Sequence, residues 1–156
     1  MGLGASNGGG DGSDGTPAES GSGSPQGSPA KRGSIDETEK QFSPKERRIA
    51  EYLEAEGKHV KSVKESTVEG EKRPDSLVDG VPTEFKTLDP KASPNAIKNT
   101  LNTAKKQARD AVVDARPSEL GETEARQSLE RFLRNNPPGR MNSIRIIGNG
   151  YTITWP

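Results

Sequence analysis

The chain has 156 residues, of which 29% are charged and only 27% carry apolar side chains, and its 23 basic residues balance its 23 acidic residues. It contains no cysteine and one histidine, which excludes disulfide frameworks, thiolate zinc centres, cysteine nucleophiles and histidine-rich metal sites. No apolar run approaches the roughly 18 residues that a membrane-spanning helix needs, so we expect no stable membrane insertion.

Composition divides the chain near residue 43. Residues 1–43 contain 11 of the 18 glycines, and six acidic against three basic side chains. Such a segment buries too little apolar surface to offset the entropy of ordering it, so we predict a disordered Gly/Ser/Pro-rich linker over 1–43. Residues 44–156 carry nearly all the valine, isoleucine and leucine. They predict one domain with a small core and a mild excess of positive charge.

A helix signal opens the predicted domain. Ser43-Pro44 combines a favoured N-cap residue with proline at the first helical position, and Glu46 completes a capping box. An apolar stripe at helical spacing follows, formed by Ile49, Ala50 and Leu53. Because Glu46 lies on that stripe, two interpretations are open. It serves the capping box alone, or it is a functional carboxylate that points inward.

The segment from Pro74 to Lys86 contains a predicted hairpin with two acidic residues and a lysine that indicate function. Asp79-Gly80 between apolar residues is typical of a hairpin with a two-residue type I′ turn. That turn places Asp75 opposite Glu84, with Cβ atoms about 4.5–5.5 Å apart, and Lys86 shares their face. Facing carboxylates repel, so a positive group should lie between them, either Lys86 or a divalent cation. The alternative is a solvated, charged hairpin surface.

Periodicity predicts the remaining elements. We expect a strand over 59–64, a loop over 65–73, a helix over 94–110 that starts at Ser93-Pro94, a central strand over 111–115, a helix over 122–136, and strands over 143–147 and 151–155. This order predicts a mixed α/β sheet flanked by helices. The polar side chains of the second helix are candidates for substrate binding or for a solvated face: Lys98, Lys105, Lys106, Gln107 and Arg109.

Two resemblances follow from these residues. Pro74-Asp75 followed by Glu84-Phe85-Lys86 resembles the PD-(D/E)XK motif, and the αβββαβ order from 44 to 115 is similar to the restriction-endonuclease-like core of that nuclease superfamily. Over about residues 44–148 the chain also resembles the C-terminal tRNA nuclease toxin domain of contact-dependent growth inhibition (CdiA-type) proteins. The residues that carry this second resemblance are Glu46, Ile49-Ala50, Leu53, Gly57, Val60, Pro74-Asp75, Val78-Asp79-Gly80, Glu84-Phe85-Lys86, Lys106-Gln107-Ala108 and Val112-Val113-Asp114.

The resemblance implies a nuclease (toxin) domain over 44–156 that cleaves tRNA or a related RNA with a divalent metal. It assigns Glu46, Asp75 and Glu84 to the metal and to catalysis, and Lys86 to orienting a water or stabilising developing charge. Gln107 matches a helix glutamine found near such sites. Oxygen ligands favour Mg²⁺ or Mn²⁺, with Zn²⁺ as the alternative.

The same resemblance implies partners and a location. We expect a cognate immunity protein with an acidic surface, a monomer apart from that complex, export from the producer cell and action in the target-cell cytoplasm. Residues 1–43 lack the charged start and apolar core of a signal peptide, so we expect either a detached toxin cassette or a substrate of another export route. Two alternatives stay open: a DNA endonuclease of the same superfamily, and a non-enzymatic interaction module.

Overall fold

The computed structural model describes residues 32–156. The elements in chain order are β1 (Ser34–Asp36), α1 (Pro44–Ala55), β2 (His59–Ser62), β3 (Ser76–Val78), β4 (Val81–Thr87), α2 (Ala96–Ala104), β5 (Asp110–Asp114), α3 (Glu122–Arg134), β6 (Ser143–Ile147) and β7 (Thr152–Trp155). The predicted mixed α/β architecture is confirmed, including the αβββαβ order from α1 to β5. Within residues 32–156, no helix is long and apolar enough to cross a bilayer.

The seven strands found within residues 32–156 form one mixed sheet, in which each strand neighbours the next in the chain. Strand β1 pairs in parallel with β2, and β4, β5 and β6 also run parallel to one another. The other neighbours are antiparallel. Strand β5 lies between β4 and β6 and is buried from Ala111 to Asp114, as its apolar sequence predicts.

Two apolar clusters cover the two faces of the sheet. Helix α1 packs through its predicted stripe on one face, where Phe85 of β4 is buried beneath it. Helices α2 and α3 cover the other face, which includes Leu88 just after β4. Because side chains alternate along a strand, Glu84 and Lys86 project away from the α1 cluster that holds Phe85.

The predicted linker boundary at residue 43 is wrong. Ser34–Asp36 pairs with β2, and Phe42 is 6% exposed, with its ring centroid 5.9 Å from that of Phe85. The glycine-rich composition of residues 1–43 gave no weight to two isolated apolar residues, Ile35 and Phe42. Both pack against distant residues of the folded domain. Residues 1–31 of the predicted linker lie outside the described residues.

The helix predicted over 94–110 is shorter, because it begins after Asn95 rather than Ser93 and ends at Ala104. The apolar spacing continues to Ala108, but the chain must leave the helix to enter β5 at Asp110. Smaller differences concern element ends. The strand predicted over 59–64 stops at Ser62, which forms its last pair with β3, and α3 stops two residues before the predicted end.

Candidate functional site

The hairpin between β3 and β4 folds as its sequence predicts. Asp79 and Gly80 have φ angles of 49° and 83°, the positive values that a type I′ turn requires. Asp79 is held by His59 of β2, whose backbone N–H donates to Asp79 Oδ1 at 2.8 Å. Pairing runs in step from the turn to the end of β3, so Asp75, the residue before β3, lies opposite Glu84.

Each of the two facing carboxylates accepts a hydrogen bond from a backbone N–H of the opposite side of the hairpin. The Asp75 N–H donates to Glu84 Oε1 at 3.2 Å, and the Phe85 N–H donates to Asp75 Oδ2 at 3.0 Å. Lys86 Nζ lies 3.2 Å from Glu84 Oε2. Glu84 is only 4% exposed and Asp75 is half-buried, so the two acids and Lys86 do not form a fully solvated hairpin surface.

Burial disfavours the charged forms of both acids, and the charge of Glu84 further disfavours that of Asp75. Desolvation, and then the charge of Glu84, raise the pKa of Asp75 to about 7, while the hydrogen bond from the Phe85 backbone opposes the rise. Burial also raises the pKa of Glu84, against the lowering effect of Lys86. Near neutral pH the pair is therefore stabilised by a bound proton or by additional positive charge.

The capping interpretation of Glu46 is confirmed, and its functional role stays a prediction. Glu46 completes the capping box, because the Ser43 N–H donates to Glu46 Oε1 at 3.0 Å and the Glu46 N–H donates to Ser43 Oγ at 3.2 Å. Its carboxyl group also interacts with that of Asp75 and contributes to the raised pKa there. The first turn of α1 thus brings a third carboxylate to Asp75.

We refer to Asp75, Glu84 and the adjacent Glu46 as the acidic site. Its carboxylate oxygens suit a hydrated, hard cation. In the described part of the chain, no three or more His, Cys, Asp or Glu side chains form a preformed metal-binding group. Mg²⁺ commonly keeps several waters and binds through one or two carboxylates together with substrate phosphates. Asp75 and Glu84 supply two such carboxylates, with Glu46 adjacent, and this set fits Mg²⁺ or Mn²⁺ better than Zn²⁺.

A cleft of about 330 Å³ gives access to the acidic site. Asp75, Glu84 and Gln107 line it. Gln107 belongs to the turn after α2 rather than to the predicted helix, and its role stays a prediction. The cleft is also lined by the basic side chains of Lys40, Lys72 and Arg73.

The other predicted substrate-binding residues do not line this cleft: Lys98, Lys105, Lys106 and Arg109. Lys105 Nζ donates to Asn136 Oδ1 at 2.7 Å and lies over the ring of Phe132. Arg109 donates to the backbone carbonyl of Gly139. The turn after Ala104 directs these two side chains towards α3 and the segment that follows it.

Sequence reasoning missed Lys40, because it lies in the segment predicted to be linker. It also assigned no site residue within the loop over 65–73, although Lys72 and Arg73 of that loop line the cleft beside Asp75. The pairing of these residues around one cleft depends on tertiary structure and has no local sequence signal.

Comparison with known proteins gives the family. The family model described as "Contact-dependent growth inhibition CdiA C-terminal domain" matches residues 72–153. The chain belongs to the CdiA C-terminal domain family. The matched range contains Asp75, Glu84, Lys86 and Gln107 of this CdiA C-terminal domain, whereas Glu46 precedes it.

The fold of this CdiA C-terminal domain is similar to that of a chain in the "CdiA-CT/CdiI toxin and immunity complex from Burkholderia pseudomallei". The TM-score is 0.53 at 18% sequence identity, and the similarity covers 78% of this chain and 98% of the other. Among curated proteins there is no match.

Proposed function

We propose that this CdiA C-terminal domain is a metal-dependent endonuclease toxin that cleaves tRNA or a related RNA in the cytoplasm of a target cell. The observation that carries the proposal is the facing pair of buried Glu84 and half-buried Asp75 on one hairpin, with Lys86 in contact with Glu84. Two facing acids repel each other and normally destabilise a fold, so their retention with one of them buried supports a functional role.

Asp75 and Glu84 would hold Mg²⁺ or Mn²⁺, and Glu46 would bind it directly or through a water. A divalent cation there supplies a bound water of lowered pKa and neutralises charge on a phosphate. Cation binding would also relieve the repulsion that raises the pKa of Asp75.

Lys86 is the second functional element of the proposed site. Its ammonium group is 3.2 Å from Glu84, and its side chain is 29% exposed, so it contacts the acidic pair while remaining partly open to solvent. We assign it to orienting the attacking water or to stabilising the negative charge that develops on the phosphate oxygens.

A cognate immunity protein is part of the proposal. A toxin that cleaves RNA would harm the producer cell, and the solved chain with a similar fold comes from a toxin–immunity complex. The inhibitor would present an acidic surface and cover the cleft. The alternative of a non-enzymatic module predicts that substitution of Glu84 leaves activity unchanged.

The test incubates the purified protein with total tRNA and with plasmid DNA, with and without EDTA. A matched pair of variants accompanies it: Glu84→Gln in the site and Glu130→Gln at an exposed position of α3. We expect cleavage of tRNA that EDTA abolishes, that Glu84→Gln reduces by about 100-fold or more, and that Glu130→Gln preserves. Nicking of DNA alone would contradict the proposed substrate, and no cleavage of either by the folded protein would contradict the enzyme.

A further inference from the structure

A loop that links β2 and β3 supplies much of the cleft wall. It runs from Val63 to Asp75 without regular secondary structure, and the Val63 N–H donates to the carbonyl of Asp75 at 3.1 Å, which closes its base. Loops of this length within a compact domain are commonly functional. This one brings Glu65, Lys72 and Arg73 to the same cleft as Asp75.

Lys40 reaches this cleft from the segment between β1 and α1. Its backbone is fixed, because its carbonyl accepts a hydrogen bond from the buried Ser62 hydroxyl, and Phe42 two residues later is buried against Phe85. Its side chain is 34% exposed. The backbone of Lys40 is therefore fixed in position, while its ammonium group can still change partners.

The partner of Lys40 is held weakly. Lys40 Nζ lies 3.9 Å from Glu65 Oε2, and the side chain of Glu65 is 88% exposed. Exposed ion pairs of this kind contribute about 0–1 kcal/mol. An anionic oxygen of another molecule that entered the cleft would therefore compete readily with Glu65 for Lys40.

We infer that Lys40 is a substrate-binding residue that exchanges Glu65 for a backbone phosphate of the nucleic acid. The inference rests on the proposed function, because the phosphate it binds flanks the bond to be cut beside Asp75 and Glu84. Glu65 occupies the position of that phosphate in the free protein and competes with it. Lys40 lies outside the residues that match the family model, so the family match does not assign it a role.

The kinetic test compares wild type, Lys40→Ala, Glu65→Gln and the double variant on a tRNA pool. Lys58→Ala is the matched control, since Lys58 follows the C-terminal end of α1 and lines a different cavity. We expect Lys40→Ala to raise KM about tenfold with kcat within twofold, and Glu65→Gln to lower KM about twofold. The effect of Glu65→Gln should vanish in the double variant.

A binding measurement separates this inference from the proposed function. In a Glu84→Gln background, fluorescence anisotropy of labelled tRNA is followed as salt is raised. Lys40→Ala should weaken binding and reduce the slope of log K against log salt by about one, as loss of one phosphate contact predicts. If wild type cleaves tRNA and Lys40→Ala behaves like Lys58→Ala in both measurements, the inference is wrong and the activity stands. If wild type cleaves nothing but binding depends on Lys40, the binding role stands and the proposed activity fails.

Discussion

At Glu46, one side chain takes part in both a helix cap and an acidic site. As a capping residue, Glu46 needs only an oxygen acceptor and no charge. As a metal ligand, or as a neighbour that raises the pKa of Asp75, it would need the charged carboxylate. A charge-removing substitution at this position can therefore separate the two roles, because glutamine retains an acceptor oxygen.

The first prediction compares Glu46→Gln with Ser43→Ala. Glu46→Gln should change the free energy of unfolding by less than about 0.5 kcal/mol and lower the cleavage rate about tenfold or more. Ser43→Ala removes the cap hydroxyl and should cost about 1 kcal/mol of stability, with cleavage within twofold of wild type. Urea unfolding and tRNA cleavage measure the two effects. Full activity in Glu46→Gln would leave Glu46 with the capping role alone.

The second prediction concerns the acidic pair in the metal-free protein. Because the pKa of Asp75 is raised to about 7 in the folded state, the folded protein binds this proton more tightly than the unfolded chain does. That contribution to stability is complete below the ordinary pKa of an aspartate and is lost as the pH rises towards 7.

Asp75→Asn removes this dependence. The stability of the variant relative to wild type should increase between pH 4 and pH 8, by about 1 kcal/mol after allowance for partial exposure. Urea unfolding in EDTA at a series of pH values measures it. A difference that does not change with pH would show that Asp75 is not perturbed by burial and by its acidic neighbours.

Among the elements, the segment from β1 to α1 changes the definition of the domain. Strand β1 pairs with β2 at the edge of the sheet. Phe42 packs against Phe85, which is the residue between Glu84 and Lys86 in β4. The segment thus stabilises the strand that carries the acidic site, and it also brings Lys40 to the cleft.

The third prediction tests that structural contribution. Phe42→Ala should reduce the free energy of unfolding by about 3 kcal/mol, because it leaves a cavity where an aromatic ring is buried. Val68→Ala is the control, since Val68 is 61% exposed in the loop and its truncation should change stability by less than about 0.5 kcal/mol. Equal effects of the two substitutions in thermal unfolding would contradict the buried position of Phe42.

The elements that could be predicted from sequence are those with local determinants. The cap at Ser43 and the turn at Asp79-Gly80 depend on neighbouring residues, and the turn alone fixes the position of Asp75 relative to Glu84. The features that could not be predicted depend on distant partners. Strand β1 pairs with a strand about 25 residues later, and α2 ends early because the next strand takes up the chain.

At the scale of the whole molecule, the proposed site combines two parts of the chain. The hairpin and Gln107 lie within the matched family range, whereas α1 and the segment before it do not. A cation that bound Asp75, Glu84 and Glu46 together would connect α1 to the hairpin, so its binding should stabilise the entire fold against unfolding.

The fourth prediction measures that linkage. At pH 8, Mg²⁺ at ten times its dissociation constant should add about 1.4 kcal/mol to the free energy of unfolding, since the unfolded chain lacks the site. The Tm in Mg²⁺ and in EDTA provides the measurement, with Glu130→Gln as a control that keeps the shift. Glu84→Gln should lose most of the shift. An equal shift in Glu84→Gln would mean that the ion binds elsewhere.

The turn at Asp79-Gly80 also limits how this ribbon can change in length. Residues can be added to this hairpin only in matched pairs, one on each strand. A single insertion would move either Asp75 or Glu84 to the opposite face of the sheet. Relatives that keep both acids should therefore differ by even numbers of residues in the spacer between them, unless a bulge absorbs an odd one.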